Sequence, residues 1–167
     1  TLRGSINVER SWWAVQRYDI AVTPDYSTKT IKGTVDISFT VLTKPGTMQI
    51  DLQEPMVLDK AELNGQNLGI RREGNVFHIT IREDLPINSI QKISLAYSGK
   101  PVEAIRPPWD GGWIWTKDKN GNPWMSVACQ GLGASVWYPC KDHQSDEPNK
   151  GASLTITVPS DLVAVGN

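Results

Sequence analysis

Along residues 31–41, IKGTVDISFTV, apolar and polar positions alternate. Ile31, Val35, Ile37, Phe39 and Val41 fall on one face, and Lys32, Thr34, Asp36, Ser38 and Thr40 on the other. A period of two belongs to a strand with one dry and one wet face. Tyr18 to Thr23 repeats the pattern more briefly, and PDYSTKT between the two segments is turn chemistry, so the pair reads as a hairpin. Further short strands are expected at 47–52, 57–63, 68–72, 76–81 and 90–97, separated by KPG, NGQ and REGN. IWTKDKNGNPWMSV reads as a second hairpin with DKNGN at its tip, and 153–158 and 162–165 as the last strands. No amphipathic helix exceeds two turns. The expected fold is therefore all-β, an antiparallel two-layer sandwich or saddle-shaped curved sheet with long loops, filling 1–167 as a single domain. KPVEAIRPPWDGG, residues 100–112, carries three prolines and two adjacent glycines and should leave the sheet as an irregular, functionally interesting loop.

Composition narrows the function classes. A chain of 167 residues with 39% apolar and 21% charged content can build a sizeable core. A net charge of -1 leaves no electrostatic footprint for nucleic acid and no polybasic patch for membranes. No apolar run is long enough to span a bilayer, and the opening TLRGSINVER lacks a basic-then-apolar leader pattern.

The catalytic templates fail in turn. The chain has no H-E-x-x-H, no G-x-S-x-G elbow and no phosphate-cradling glycine loop. His78, within VFHITI, lies opposite Phe77 and Ile79 and reads as a solvent-side strand residue. The densest stretch is CQGLGASVWYPCKDHQSDEP, residues 129–148. His143 with Asp142, Asp146 and Glu147 could in principle ligate a divalent ion, but a solvated polar loop explains them better. Cys129 and Cys140 could pair across a loop, or stay as free cysteines, since a buried free cysteine is common. Five of seven tryptophans fall at 109, 113, 115, 124 and 137. They read as core and edge cover first, and as a carbohydrate- or protein-binding surface second.

Two stretches carry a family resemblance. RYDIAVTPDYSTKTIKGTVDISFTV, residues 17–41, and CQGLGASVWYPCKDHQSDEPNKGASLTITVPSDLVAVGN, residues 129–167, together resemble the N-terminal domain of the aminopeptidase N family, the gluzincin zinc aminopeptidases. The second is the specific one: a glutamine, small residues, an aromatic-Pro-Cys-x-Asp core, a proline, then a strand ending in V-P. The resemblance implies a non-catalytic domain that walls the active site of a larger enzyme. It puts Gln130 where the family accepts a hydrogen bond from the substrate's free α-amino group, with Gly131 and Gly133 letting a peptide approach. It also implies zinc in the parent enzyme, with no metal ligand and no catalytic residue in this chain. The partners implied are a catalytic domain of the same polypeptide, absent here, and a peptide with a free amino terminus. The chain looks like a C-terminally truncated fragment of such an enzyme, inactive alone. Two departures stand out. Ser135 occupies a position where the family often has arginine, and the short D-x-P step is expanded to Asp142–Pro148. A free-standing tryptophan-rich binding sandwich is the alternative reading.

Overall fold

The computed structural model of the protein describes residues 4–82 and 84–166. The long alternating segment forms β2 (Thr30–Val41), and it pairs antiparallel with β1 (Trp13–Asp25) as expected. The Asp25 carboxylate accepts hydrogen bonds from Ser27 N and Thr28 N and caps the turn between them. β1 extends further towards the N-terminus than its pattern indicates. A register shift between Val15 and Arg17 moves the buried set from Trp13 and Val15 to Tyr18, Ile20 and Val22, so the period of two breaks at the bulge.

β1 and β2 continue through β8 (Ile90–Gly99), β4 (Val57–Leu63) and β5 (Gln66–Asn67) into one sheet. Its opposite edge is β11 (Ala152–Ile156), which runs parallel to β1, from Tyr18 opposite Ala152 to Val22 opposite Ile156. This parallel pair departs from the all-antiparallel expectation. A long connection returns the chain to β1 from the far side, and nothing in a strand's own alternation records direction. Residues 162–165 form no strand, and Asn167, the last residue of the second motif, lies outside the described residues.

A second layer consists of β3 (Thr47–Asp51), β7 (Val76–Thr80) and β6 (Ile70–Glu73) in that order. Met48, Ile50, Phe77 and Ile79 from this layer join Ile20, Val35, Ile37, Phe39, Leu95 and Tyr97 from the first in one apolar cluster. The β9 (Gly112–Lys117) and β10 (Pro123–Ala128) hairpin forms a two-stranded sheet of its own. The result is all-β with no closed sheet, as expected.

His78 requires a correction. It does lie opposite Phe77 and Ile79, but that face is not wet: His78 is only 7% exposed. The short helix α1 (Val8–Ser11) covers it. Glu9 Oε2 lies 2.5 Å from His78 Nδ1, and Asn7 Nδ2 donates to Gln49 Oε1 at 2.8 Å. A four-residue helix has too little periodicity to be foreseen, and β3 and β7 become buried on both faces while β6 stays partly exposed.

Candidate functional site

The stretch 129–148 begins where β10 ends. Leu132 N and Gly133 N both donate to the Cys129 carbonyl, at 3.2 and 2.9 Å, closing a tight turn with Gln130 and Gly131 at its tip. Gly131 and Gly133 have φ of +70° and +79°, which glycine adopts without strain. A Cβ on Gly131 would meet nothing within 4 Å, whereas one on Gly133 would lie 2.3 Å from Asp142 Oδ2. Gly133 is therefore glycine because Asp142 packs against it. Gln130 is exposed, and its side-chain amide has no partner among the described residues. Loop 100–111 reaches the same place: the Gly111 Cα packs against the Gln130 carbonyl and the Leu132 side chain.

Beneath the tip, the base of the loop is locked. Ser135 Oγ donates to Asp142 at 2.6 Å, and Gln53 Nε2 donates to the Leu132 carbonyl at 2.6 Å and to Ser135 Oγ at 2.9 Å. Asp51 and Cys140 exchange backbone hydrogen bonds at 2.8 and 3.0 Å. The Asp51 carboxylate accepts from Asp142 N at 2.8 Å and from Gln49 Nε2 at 3.1 Å, and forms a fully buried ion pair with Arg10. Burial pushes the Asp51 carboxyl above its usual range, against the pull of Arg10 and these donors.

Lys141 is also buried. It pairs with Asp146, donates to the Trp13 carbonyl at 2.6 Å, and lies over the Trp13 ring. Burial lowers its ammonium, with Asp146 opposing. The 142–147 segment is thus not simply a solvated loop. Asp142 and Asp146 turn inward to brace it. His143 bonds only locally, its Nδ1 2.8 Å from Ser145 Oγ.

These commitments decide the chemistry. Among the described residues no three His, Cys, Asp or Glu side chains converge on a metal position, so none of those residues offers zinc a site. Cys129 and Cys140 are both free thiols. Burial raises both, for Cys129 against a hydrogen bond from Trp137, so neither is poised as a thiolate nucleophile. The tryptophans divide. Trp113, Trp115 and Trp137 stack within the molecule, with Tyr138 against Trp137, while Trp109 and Trp124 are exposed. The bracing by Gln53, Asp51 and Arg10 went unnoticed in the sequence. The buried Asp51 is a polar residue at the end of an apolar strand, a weak signal that could have marked it.

No protein-family model and no curated protein matches the chain. Solved structures do. An M1 zinc metallopeptidase from Deinococcus radiodurans superposes with a TM-score of 0.63 at 21% identity, covering 87% of this chain and 32% of that one. A two-domain M1 zinc metallopeptidase bound to L-tryptophan gives 0.62 at 20% identity, covering 92% and 34%. The LTA4 hydrolase of yeast gives 0.68 at 16% identity, covering 89% and 23%. The chain spans between about a quarter and a third of these proteins. It carries the fold of the N-terminal part of the M1 zinc metallopeptidases, the family to which its two motifs pointed.

Proposed function

We propose that the chain is the non-catalytic N-terminal part of a zinc aminopeptidase, one that removes residues from the amino ends of peptides. In this reading it walls the active-site cavity, and Gln130 accepts a hydrogen bond from the substrate's α-ammonium group. The observation that carries the reading is Gln130 itself: exposed and unpartnered at the tip of a turn whose base is locked, in a chain with this fold. An amide oxygen suits the task, since it accepts from an ammonium without adding charge. Gly131, open on its Cβ side, leaves room for a peptide backbone, and Gly133 holds the turn against Asp142. Zinc and its ligands belong to a catalytic domain of the same polypeptide, which supplies a metal-activated water. A variant of the Deinococcus protein is described bound to a Tyr-Ser-Ala substrate, in keeping with a peptide occupant here.

The test is Gln130→Ala in the intact enzyme. A hydrogen bond to a charged group contributes roughly 1.5–3 kcal/mol, so kcat/KM for an unblocked amino-acyl substrate is expected to fall about 10- to 100-fold. An unchanged kcat/KM removes Gln130 from the site. The alternative, a sugar-binding tryptophan platform, is disfavoured because three of the five clustered tryptophans stack inside the molecule.

A further inference from the structure

β10 runs directly into Gln130 and, among the described residues, has one strand partner, β9. Two observations fix which of its backbone groups face outward. Trp113 N donates to the Val102 carbonyl at 2.7 Å, and the Trp113 carbonyl accepts from Ala104 N at 3.0 Å. The backbone of Trp113 therefore points away from β10, and its register partner Val127 must point away from β9. At the hairpin tip Asp118 N donates to the Asn122 carbonyl at 2.9 Å. The alternation counted from either end agrees: Trp124, Ser126 and Ala128 bond to β9, and Pro123, Met125 and Val127 face the free edge. Pro123 fits this register, since a residue without an N–H costs no ladder bond there. The amides of Met125 and Val127 have no partner among the described residues.

Such an edge is normally guarded. Charged side chains, internal prolines or bulges discourage pairing with other chains. PWMSVA has no charge, no bulge in its pairing and a proline only at its start. Beside Pro123 and Met125 lies an open groove of about 1020 Å³, walled on its other side by Pro24, Tyr26 and the segment from Thr157 to Leu162. The groove opens beside the Pro123–Met125 half of the edge; Val127, nearer Gln130, is half-buried and does not line it.

We propose that β10 receives the peptide substrate as an added antiparallel strand. This rests on Gln130 binding the α-amino group. The direction follows from that position. β10 advances towards Gln130, so a peptide with its amino terminus at Gln130 runs back along β10 in the opposite sense. Val127 N–H and C=O exchange two hydrogen bonds with one peptide residue, and Met125 does the same with the residue two further on. Backbone pairing of this kind reads few side chains, so the ligand class is an extended peptide of broad sequence with a free amino terminus.

The experiment uses the intact enzyme, isotope-labelled and stripped of zinc so that peptide is bound without being cleaved, and the synthetic peptide Tyr-Val-Thr-Val-Thr-Ala. Its derivatives are an N-acetylated form and two forms N-methylated on alternate amides. Binding is expected to shift and protect the Met125 and Val127 amides. One N-methylated set should weaken binding at least tenfold and the other leave it unchanged, because only alternate peptide amides face β10. Val127→Pro should weaken binding by a similar factor; it loses no ladder bond, but Val127 also packs against the apolar cluster, so the N-methylated peptides, which leave the chain unaltered, separate lost pairing from lost folding. If N-acetylation has no effect while the alternation persists, strand addition stands and the Gln130 reading falls. If acetylation matters but Met125 and Val127 are unmoved, the Gln130 reading stands and strand addition is overturned. It is also overturned by absence of peptide binding, or by protection of these amides that grows with chain concentration alone, which would make a second copy the occupant.

Discussion

Gly131 and Gly133 sit two residues apart, both with positive φ, yet the structure gives them different reasons to be glycine. Around Gly131 there is space; against Gly133 there is a carboxylate. Gly131→Ala should cost only the left-handed strain, about 1–2 kcal/mol. Gly133→Ala faces a φ of 79° with ψ of 176°, a region essentially reserved for glycine, and also displaces Asp142 from Ser135, a further loss of about 1–3 kcal/mol. Urea unfolding of the two variants separates the cases, and equal losses would mean that Asp142 does not press on Gly133. The sequence showed two glycines flanking Leu132 and a serine in place of arginine. It did not show that the glycine, the serine and the aspartate form one contact, because that contact depends on the chain turning back through Tyr138-Pro139-Cys140.

At the scale of elements, the hairpins were the most legible. DKNGN announces a turn, and the carboxylate of Asp118 does the work: it accepts from Asn120 N and Asn122 N, both at 2.8 Å, and from Asn122 Nδ2 at 3.0 Å. The donors of Asn122, chiefly, hold its carboxyl below the ordinary value of 3.8. The sign follows: the cap is fully present above 3.8 and is lost as pH falls through the depressed folded value. A carboxyl-carbon titration of Asp118 by NMR should therefore give a midpoint below 3.8, with the Asn120 and Asn122 amides moving in step. A midpoint at or above 3.8 would show that the side chain does not cap the tip. Elements whose phase is broken were harder to read. The start of β1 was missed because its bulge shifts the buried set by one residue, and α1 because one helical turn carries no repeat.

For the whole molecule, the unforeseen feature is a buried charged seam. Arg10, Asp51, Lys141 and Asp146 tie the N-terminal helix, the three-stranded layer and the 141–146 loop to β1. A pair with both side chains at 0% exposure gains little over an apolar replacement, but breaking it leaves an uncompensated charge. Asp51→Ala should lose about 3–5 kcal/mol, which for a domain of this size lowers the melting temperature by roughly 6–20 °C. A loss below about 1 kcal/mol would show that solvent reaches Arg10. The same seam gives the Gln130 tip a rigid base, so on the function proposed above Asp51→Ala should also reduce the parent enzyme's kcat/KM.

What the sequence determined by itself was local. The period of two dictated strands, and Asp and Gly dictated turns, while the loop after Gln130 was marked by its resemblance to a known family. These signals lie within a few residues of one another, and the forces behind them, steric preference and one-sided burial, act at that range. Only the tertiary structure decided that His78 is covered, that Asp142 and Asp146 point inward, that β11 runs parallel to β1, and that β10 keeps a free edge ending at Gln130. Each of these depends on partners tens of residues away. Charge burial and strand pairing are settled by which surfaces meet, and alternation along one segment carries no record of the surface that will cover it.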